Sequence, residues 1–208
     1  MSPQSSAARE ARFWAGIAEA QRFFLGKAEV YDALLKLTRL LDGEGIPYAI
    51  AGAMAQNEYG YQRVTTAVDV LLTREGLAQF KSRWLGRGYV EKFSGSKGLR
   101  DAENGVSIDV LVAGEFPGDG QPKPIAFPDP STAAVQGERG RFLPLPTLLE
   151  LKLASGMTAP HRLRDLADVL ELIRVLDLPR DFARQLHPYV REKFDELWQS
   201  AQSAAGDE

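Results

Sequence analysis

The chain has 208 residues, 44% of them hydrophobic and 25% charged, and its 25 Lys+Arg against 28 Asp+Glu give a formal net charge of -3. That globular composition excludes collagen-like, coiled-coil and wholly disordered chains, and the charge argues against an extended basic surface that coats nucleic acid. With no cysteine, disulfides, thiolate metal sites and cysteine nucleophiles are excluded; with no signal-like or membrane-length apolar run, a soluble cytoplasmic protein without a membrane partner is expected.

The first eight residues are small and polar, and the pattern predicts no fixed structure for them. Phe13, Ile17, Ala20 and Phe24 recur at helical spacing, which predicts a helix over 10–25. Val30, Leu34, Leu37 and Leu41 form the stripe of a second helix that Gly43 and Gly45 end. Residues 47–51 read as a short buried strand, followed after Gly52 by a short helix over 53–59. Ala67 to Leu72 is an apolar run broken only by Asp69 and reads as a central strand.

A helix is expected over 75–85, then strands over 89–93, 98–102 and 107–112. Asn104-Gly105 marks the tight turn between the last two. Ser94-Gly95-Ser96-Lys97-Gly98 has phosphate-loop composition without its spacing, and reads as a hairpin turn. From Glu115 to Arg141, proline and glycine predict a long connection holding one or two short strands. Helices follow over 148–155, with Pro146 at their start, over 163–173, and over 190–201. The expected fold class is α/β (α+β): a mixed, mostly antiparallel sheet flanked by helices, with a helical C-terminal region. The expected division is an N-terminal helical segment 1–26, a core 27–143 and a helical region 144–208.

Chemistry concentrates in Gly52-Ala53-Met54-Ala55, the run Arg63 to Val70, and Ser107-Ile108-Asp109-Val110-Leu111. Asp69 and Asp109 each place a carboxylate in an apolar strand, where burial is costly unless the group is paired or binds a cation. The pair reads either as a metal site or as strand-end caps of neighbouring loops. Gly52 either opens the backbone to a phosphate or makes an ordinary strand-to-helix turn. Arg63 reads first as a solvated or ion-paired surface residue. Lys152, in an apolar helix, reads as a lysine reaching for water. Asp165 and Asp168 share a polar helix face and are expected to be solvated beside Arg162 or Arg164. His161 and His187 are too few and too separated for zinc, and Trp14, Trp84 and Trp198 read as core residues.

These segments, in this order, resemble the nucleotidyltransferase fold, in particular the minimal and AbiEii-type members associated with toxin–antitoxin and abortive-infection systems. Gly52-Ala53 matches the Gly-[Gly/Ser] turn. Arg63 and Thr65 match Arg-x-Thr, Asp69 the second Asp and Asp109 the third. Lys152 with Ala154, and Arg164-Asp165 with Asp168, are similar to the helical Lys-x-x-Ala and Arg-Asp-x-x-Asp segments, the first one residue short in spacing. The resemblance spans Leu34 to Ile173. It implies an NTP substrate, with Gly52, Ala53, Arg63, Lys152 and Asp168 on the nucleotide and its phosphates, and Asp69 and Asp109 on Mg²⁺. It further implies transfer of NMP to an RNA or protein hydroxyl, and a cognate antitoxin as partner.

At the first Asp of the motif the chain has Ala67. Alternate strand residues share a face, so positions 67 and 69 are expected to point the same way. A methyl there leaves the family's two-ion arrangement one ligand short, and little or no turnover is expected. Ala67 is either a natural loss, which makes the chain a nucleotide- or partner-binding pseudo-enzyme, or a replaced aspartate.

Overall fold

A computed structural model describes residues 29–204; the expected helix over 10–25, Trp14 and the segments 1–28 and 205–208 lie outside it. Helix α1 covers 29–43 and buries Val30, Leu34, Leu37 and Leu41, the predicted stripe. Strand β1 (Tyr48–Ile50) leads into α2 (Gly52–Glu58), then β2 (Ala67–Leu72) into α3 (Arg74–Trp84). Thr73 caps α3, its side-chain oxygen accepting from the Gly76 N–H, which satisfies one of the free donors at the helix start. Strands β3 (Tyr89–Glu91), β4 (Leu99–Asp101) and β5 (Ser107–Val112) follow.

The long connection is more ordered than its composition suggests. It holds a one-turn helix α4 (Pro130–Ala133), capped by Asp129, and a hairpin of β6 (Val135–Gly137) and β7 (Gly140–Phe142). Helix α4 was unexpected because four residues show no periodicity; Asp129-Pro130 is its only start signal. Helices α5 (Leu145–Thr158), α6 (Leu163–Val175) and α7 (Pro188–Ala204) form the C-terminal region, with short 3-10 turns at Pro160–Arg162 and Arg180–Gln185.

The seven strands make one sheet in the order β3-β4-β5-β2-β1-β7-β6. The β2–β5 and β1–β7 pairs are parallel and the other four antiparallel, so the fold class is the mixed α/β expected. No described helix is long and apolar enough to cross a membrane.

Pleating gives the sheet two different faces. Ile50, Val68, Val70, Leu72, Ile108 and Val110 join α1 and α3 in one core. Ala49, Ala51 and Leu71 turn the other way, into a second core built with α5, α6 and α7. Asp69 and Asp109 have the parity of Leu71 and Leu111, so both carboxylates face the C-terminal helices. Trp84 and Trp198 are half-buried against the two cores. His187 accepts from the Tyr189 N–H at the start of α7 and His161 is exposed, as expected of cap and surface residues.

Candidate active site

The site is a row across neighbouring strands. In the parallel β2–β5 register Asp69 lies directly beside Asp109, and Ala67 beside Ser107 one step back on the same face. On the other side of β2, the Ala51 N–H donates to the Asp69 carbonyl at 2.9 Å. The structure thus brings together the two aspartates read from sequence, and Ala67 occupies the place two residues before Asp69 with no carboxylate to offer.

Gly52 fixes how Asp69 sits. Its φ of +56° lets β1 turn directly into α2, a backbone that side-chain-bearing residues adopt at a cost. A Cβ there would lie 2.6 Å from the Asp69 carboxyl carbon and 2.9 Å from its Cβ. The carboxylate therefore rests on the bare Cα of Gly52, at the start of a helix with no side-chain cap. Gly52→Ala is expected to lower stability by about 2 kcal/mol, roughly half from the backbone and half from displacing Asp69. Chemical denaturation checks this; in an Asp69→Ala background, which removes the carboxyl but keeps the Cβ 2.9 Å away, the cost should fall while remaining above the backbone part alone.

Helices α5 and α6 cover the row with an ionic network. Lys152 Nζ donates to Asp168 Oδ2 at 2.7 Å and Asp165 Oδ1 at 3.2 Å. Ser155 Oγ donates to Asp165 Oδ2 at 2.7 Å. Arg63, entering from the loop before β2, donates to Asp168 and to Gln56 Oε1. Two expectations are corrected here. Lys152 does not reach for water, being only 7% exposed, and Asp168 at 3% is not a solvated helix-face acid. The reason is shared: α5 and α6 pack against each other along this face, so lysine and aspartates neutralise one another where neither meets solvent. Arg63 is correspondingly ion-paired and partly buried, held by α6 rather than lying on the open surface.

A pocket of about 120 Å³ lies between the row and α5, lined by Gly52, Asp69, Lys152, Ser155, Arg162 and Asp165 among others. Ala53 does not line it; its side chain is buried in α2. The long connection forms one wall through Pro117, Gly118 and Phe127. Lys123 holds that wall, donating to the Pro117 carbonyl at 2.5 Å and to Thr158 Oγ1 at 3.3 Å. Sequence reasoning missed Arg162, Ser155 and this wall, since no local pattern brings them to β2. Among the described residues a larger cavity of about 480 Å³ opens between α1, α2, the loop before β2 and the β6–β7 hairpin, with Arg63 on its lining.

Electrostatics set Asp69 apart. Burial first, and the neighbouring Asp109 carboxylate second, push its carboxyl from 3.8 up to about 6, against the pull of Lys152, Arg63 and Arg162. Asp109 is half exposed and ion-paired with Lys92, whose Nζ lies 2.5 Å from Oδ1. Lys92 was not read from the sequence as a site residue.

The resemblance implies a divalent metal, so the donor set matters. Among the described residues no group of three or more His, Asp or Glu side chains comes together to hold one. Asp69 and Asp109 are two carboxylates, the second already bound by an ammonium, and position 67 supplies none. Magnesium, which demands near-octahedral oxygen ligation, is poorly matched to this set, and a two-ion arrangement is not met.

No family model and no curated protein matches the chain. Among solved structures it is similar to the crystal structure of ANT(2″)-Ia in complex with adenylyl-2″-tobramycin, at 12% identity and a TM-score of 0.42, covering 89% of this chain and 99% of that one. It is likewise similar to the solution structure of the antibiotic-resistance factor ANT(2″)-Ia, at 13% identity and a TM-score of 0.42, covering 87% of this chain and 96% of that one. At these values the likeness stops short of a shared function.

Proposed function

We propose that this chain binds a nucleoside triphosphate at a nucleotidyltransferase-type site that has lost one metal-binding carboxylate, and that it carries out little or no transfer as it stands. The observation behind this reading is the strand register: Asp69 beside Asp109 on one face, with Ala67 where a third acid would complete the set. The resemblance supplies the substrate class, and the neighbouring cations Lys152 and Arg162 are the groups available to its phosphates.

The pocket holds part of such a ligand. Whole small-molecule sites run to roughly 300–1,000 Å³, so a nucleotide seated here extends from the pocket along the Asp109 end of the row. Phosphate binding at Lys152 requires it to loosen from Asp165 or Asp168, because both already hold its ammonium. In the active form of such a site, the acceptor implied by the resemblance is an RNA or protein hydroxyl. The reaction rests on positioning and charge neutralisation rather than a covalent enzyme intermediate. A cytoplasmic setting and a cognate antitoxin belong to the same proposal and come from the resemblance.

Calorimetry with ATP, GTP, CTP and UTP, each with and without Mg²⁺, tests the binding step. Saturable binding of at least one is expected, and an inert chain under all eight conditions overturns the proposal. Ala67→Asp supplies the absent carboxylate beside Asp69, and is expected to bring measurable transfer of labelled nucleotide where the unmodified chain has none. Charge neutralisation around a transferring phosphoryl group makes that gain about a hundredfold or more over background. Nucleotide binding with no gain in transfer would leave a binding module.

A further inference from the structure

Beside the carboxylate pair sits a residue that the resemblance does not supply. Lys92 directly follows β3, and its N–H donates to the Gly98 carbonyl at 3.1 Å. Leu99 pairs with Ile108 in the antiparallel β4–β5 register, which sets Gly98 next to Asp109. Lys92, Gly98, Asp109 and Asp69 therefore follow one another across β3, β4, β5 and β2.

Gly98 makes the crossing possible. A Cβ at that position would lie 3.0 Å from Lys92 Cδ and 3.3 Å from Cε, so the lysine stem runs over a residue that directly precedes β4 and presents no side chain. The ammonium emerges on Asp109 at 2.5 Å. The Lys92 side chain as a whole is one-quarter exposed.

We propose that Lys92 is the resident cation of this site: its ammonium fills beside Asp109 the place a divalent ion would take, so the Asp69–Asp109 pair excludes divalent metal and its ligand binds independently of one. A divalent ion approaching the pair meets a fixed positive charge and a carboxylate oxygen already engaged by a strong, charge-assisted hydrogen bond. Ala67 and Lys92 then act in the same sense, one removing an anionic ligand and the other supplying a cation. The inference rests on the nucleotide-site reading only for what the ligand is; cation exclusion is measured without nucleotide.

The test is Mn²⁺ binding to the full chain, read from water-proton relaxation enhancement, with circular dichroism confirming the fold of each variant. The unmodified chain and Lys92→Arg are expected to show no saturable Mn²⁺ site. Lys92→Met is expected to show a saturable Mn²⁺ site, its Kd at least about tenfold below the lower limit that the unmodified chain's non-saturating response sets, the scale of one removed like charge near a protein surface. In the Ala67→Asp background the same replacement should again raise affinity about tenfold. Gly98→Ala keeps Lys92 but displaces its flexible end, and should reproduce part of the gain; it also serves if Lys92→Met folds poorly. A saturable Mn²⁺ site in the unmodified chain, or no gain from either Lys92→Met or Gly98→Ala, overturns the inference. Failure of nucleotide binding shows separately, as an absence of calorimetric signal in every variant while the Mn²⁺ results stand.

Discussion

Replacing Lys152 with methionine is expected to destabilise the protein by about 3 kcal/mol, the lower end of what breaking a buried ion pair costs. The side chain keeps its length and apolar stem, so little of the effect comes from packing. What is lost is the charge compensating Asp168 and Asp165, whose carboxylates lie within 2.7 and 3.2 Å of the ammonium. Arg63 still holds Asp168, and Ser155 still donates to Asp165, which keeps the cost from the upper end of the range. Urea denaturation of Lys152→Met, Asp168→Asn and the double variant measures it. The double variant should cost clearly less than the sum of the singles, because removing Asp168's charge removes much of what Lys152 compensates. Additive costs would mean that the two groups act separately and that the network is not a unit.

The second large effect is at Asp69. Its carboxyl is raised to about 6 in the folded chain from an ordinary 3.8, mainly by burial. The fold therefore favours the protonated form. Below the ordinary value both states are protonated and the stabilising contribution is fully present; it fades as pH rises toward about 6 and is gone above that. Asparagine mimics the protonated acid at every pH. Asp69→Asn should therefore match the unmodified chain near pH 3.5 and exceed it by about 3 kcal/mol near pH 7.5. Denaturation midpoints at the two pH values give the result directly. Equal stability of the two proteins near pH 7.5 would mean that Asp69 carries its charge without penalty, and that water reaches it freely.

What the sequence disclosed follows from the range of the interactions involved. The β2 and β5 runs were legible because a short, β-branched apolar run is a local signal, and it carried Asp69 and Asp109 with it. Their direct register was not, since pairing depends on residues about forty positions apart. Gly52 could be read as a turn, but not as the seat of a carboxylate. Lys152 and Asp168 were assigned to water, while Asp165 does lie beside Arg162 as read: burial on the α5–α6 interface is a tertiary fact that a helix-face pattern does not carry. Lys92 escaped notice because nothing around it marks a site; only the path of its stem over Gly98 does. Helix α4 and the wall held by Lys123 sit in a segment whose proline and glycine content hides order created by long-range contacts.

The pleat that turns Asp69 and Asp109 away from Val68, Val70, Ile108 and Val110 also uncouples substitutions on the two faces. Along β2 and β5, even-numbered positions pack beneath α1 and α3, while the odd-numbered ones divide between Asp69 and Asp109 and the second core, where Leu71 and Leu111 pack beneath the C-terminal helices. Conservative exchanges among the even set can drift with little electrostatic consequence at the carboxylates. At position 67 an acid or an alanine can stand without opening a hole in the core beneath α1 and α3. A sheet with this parity can change the charge on one face and keep its shape, because the packing under α1 and α3 is carried by the other face.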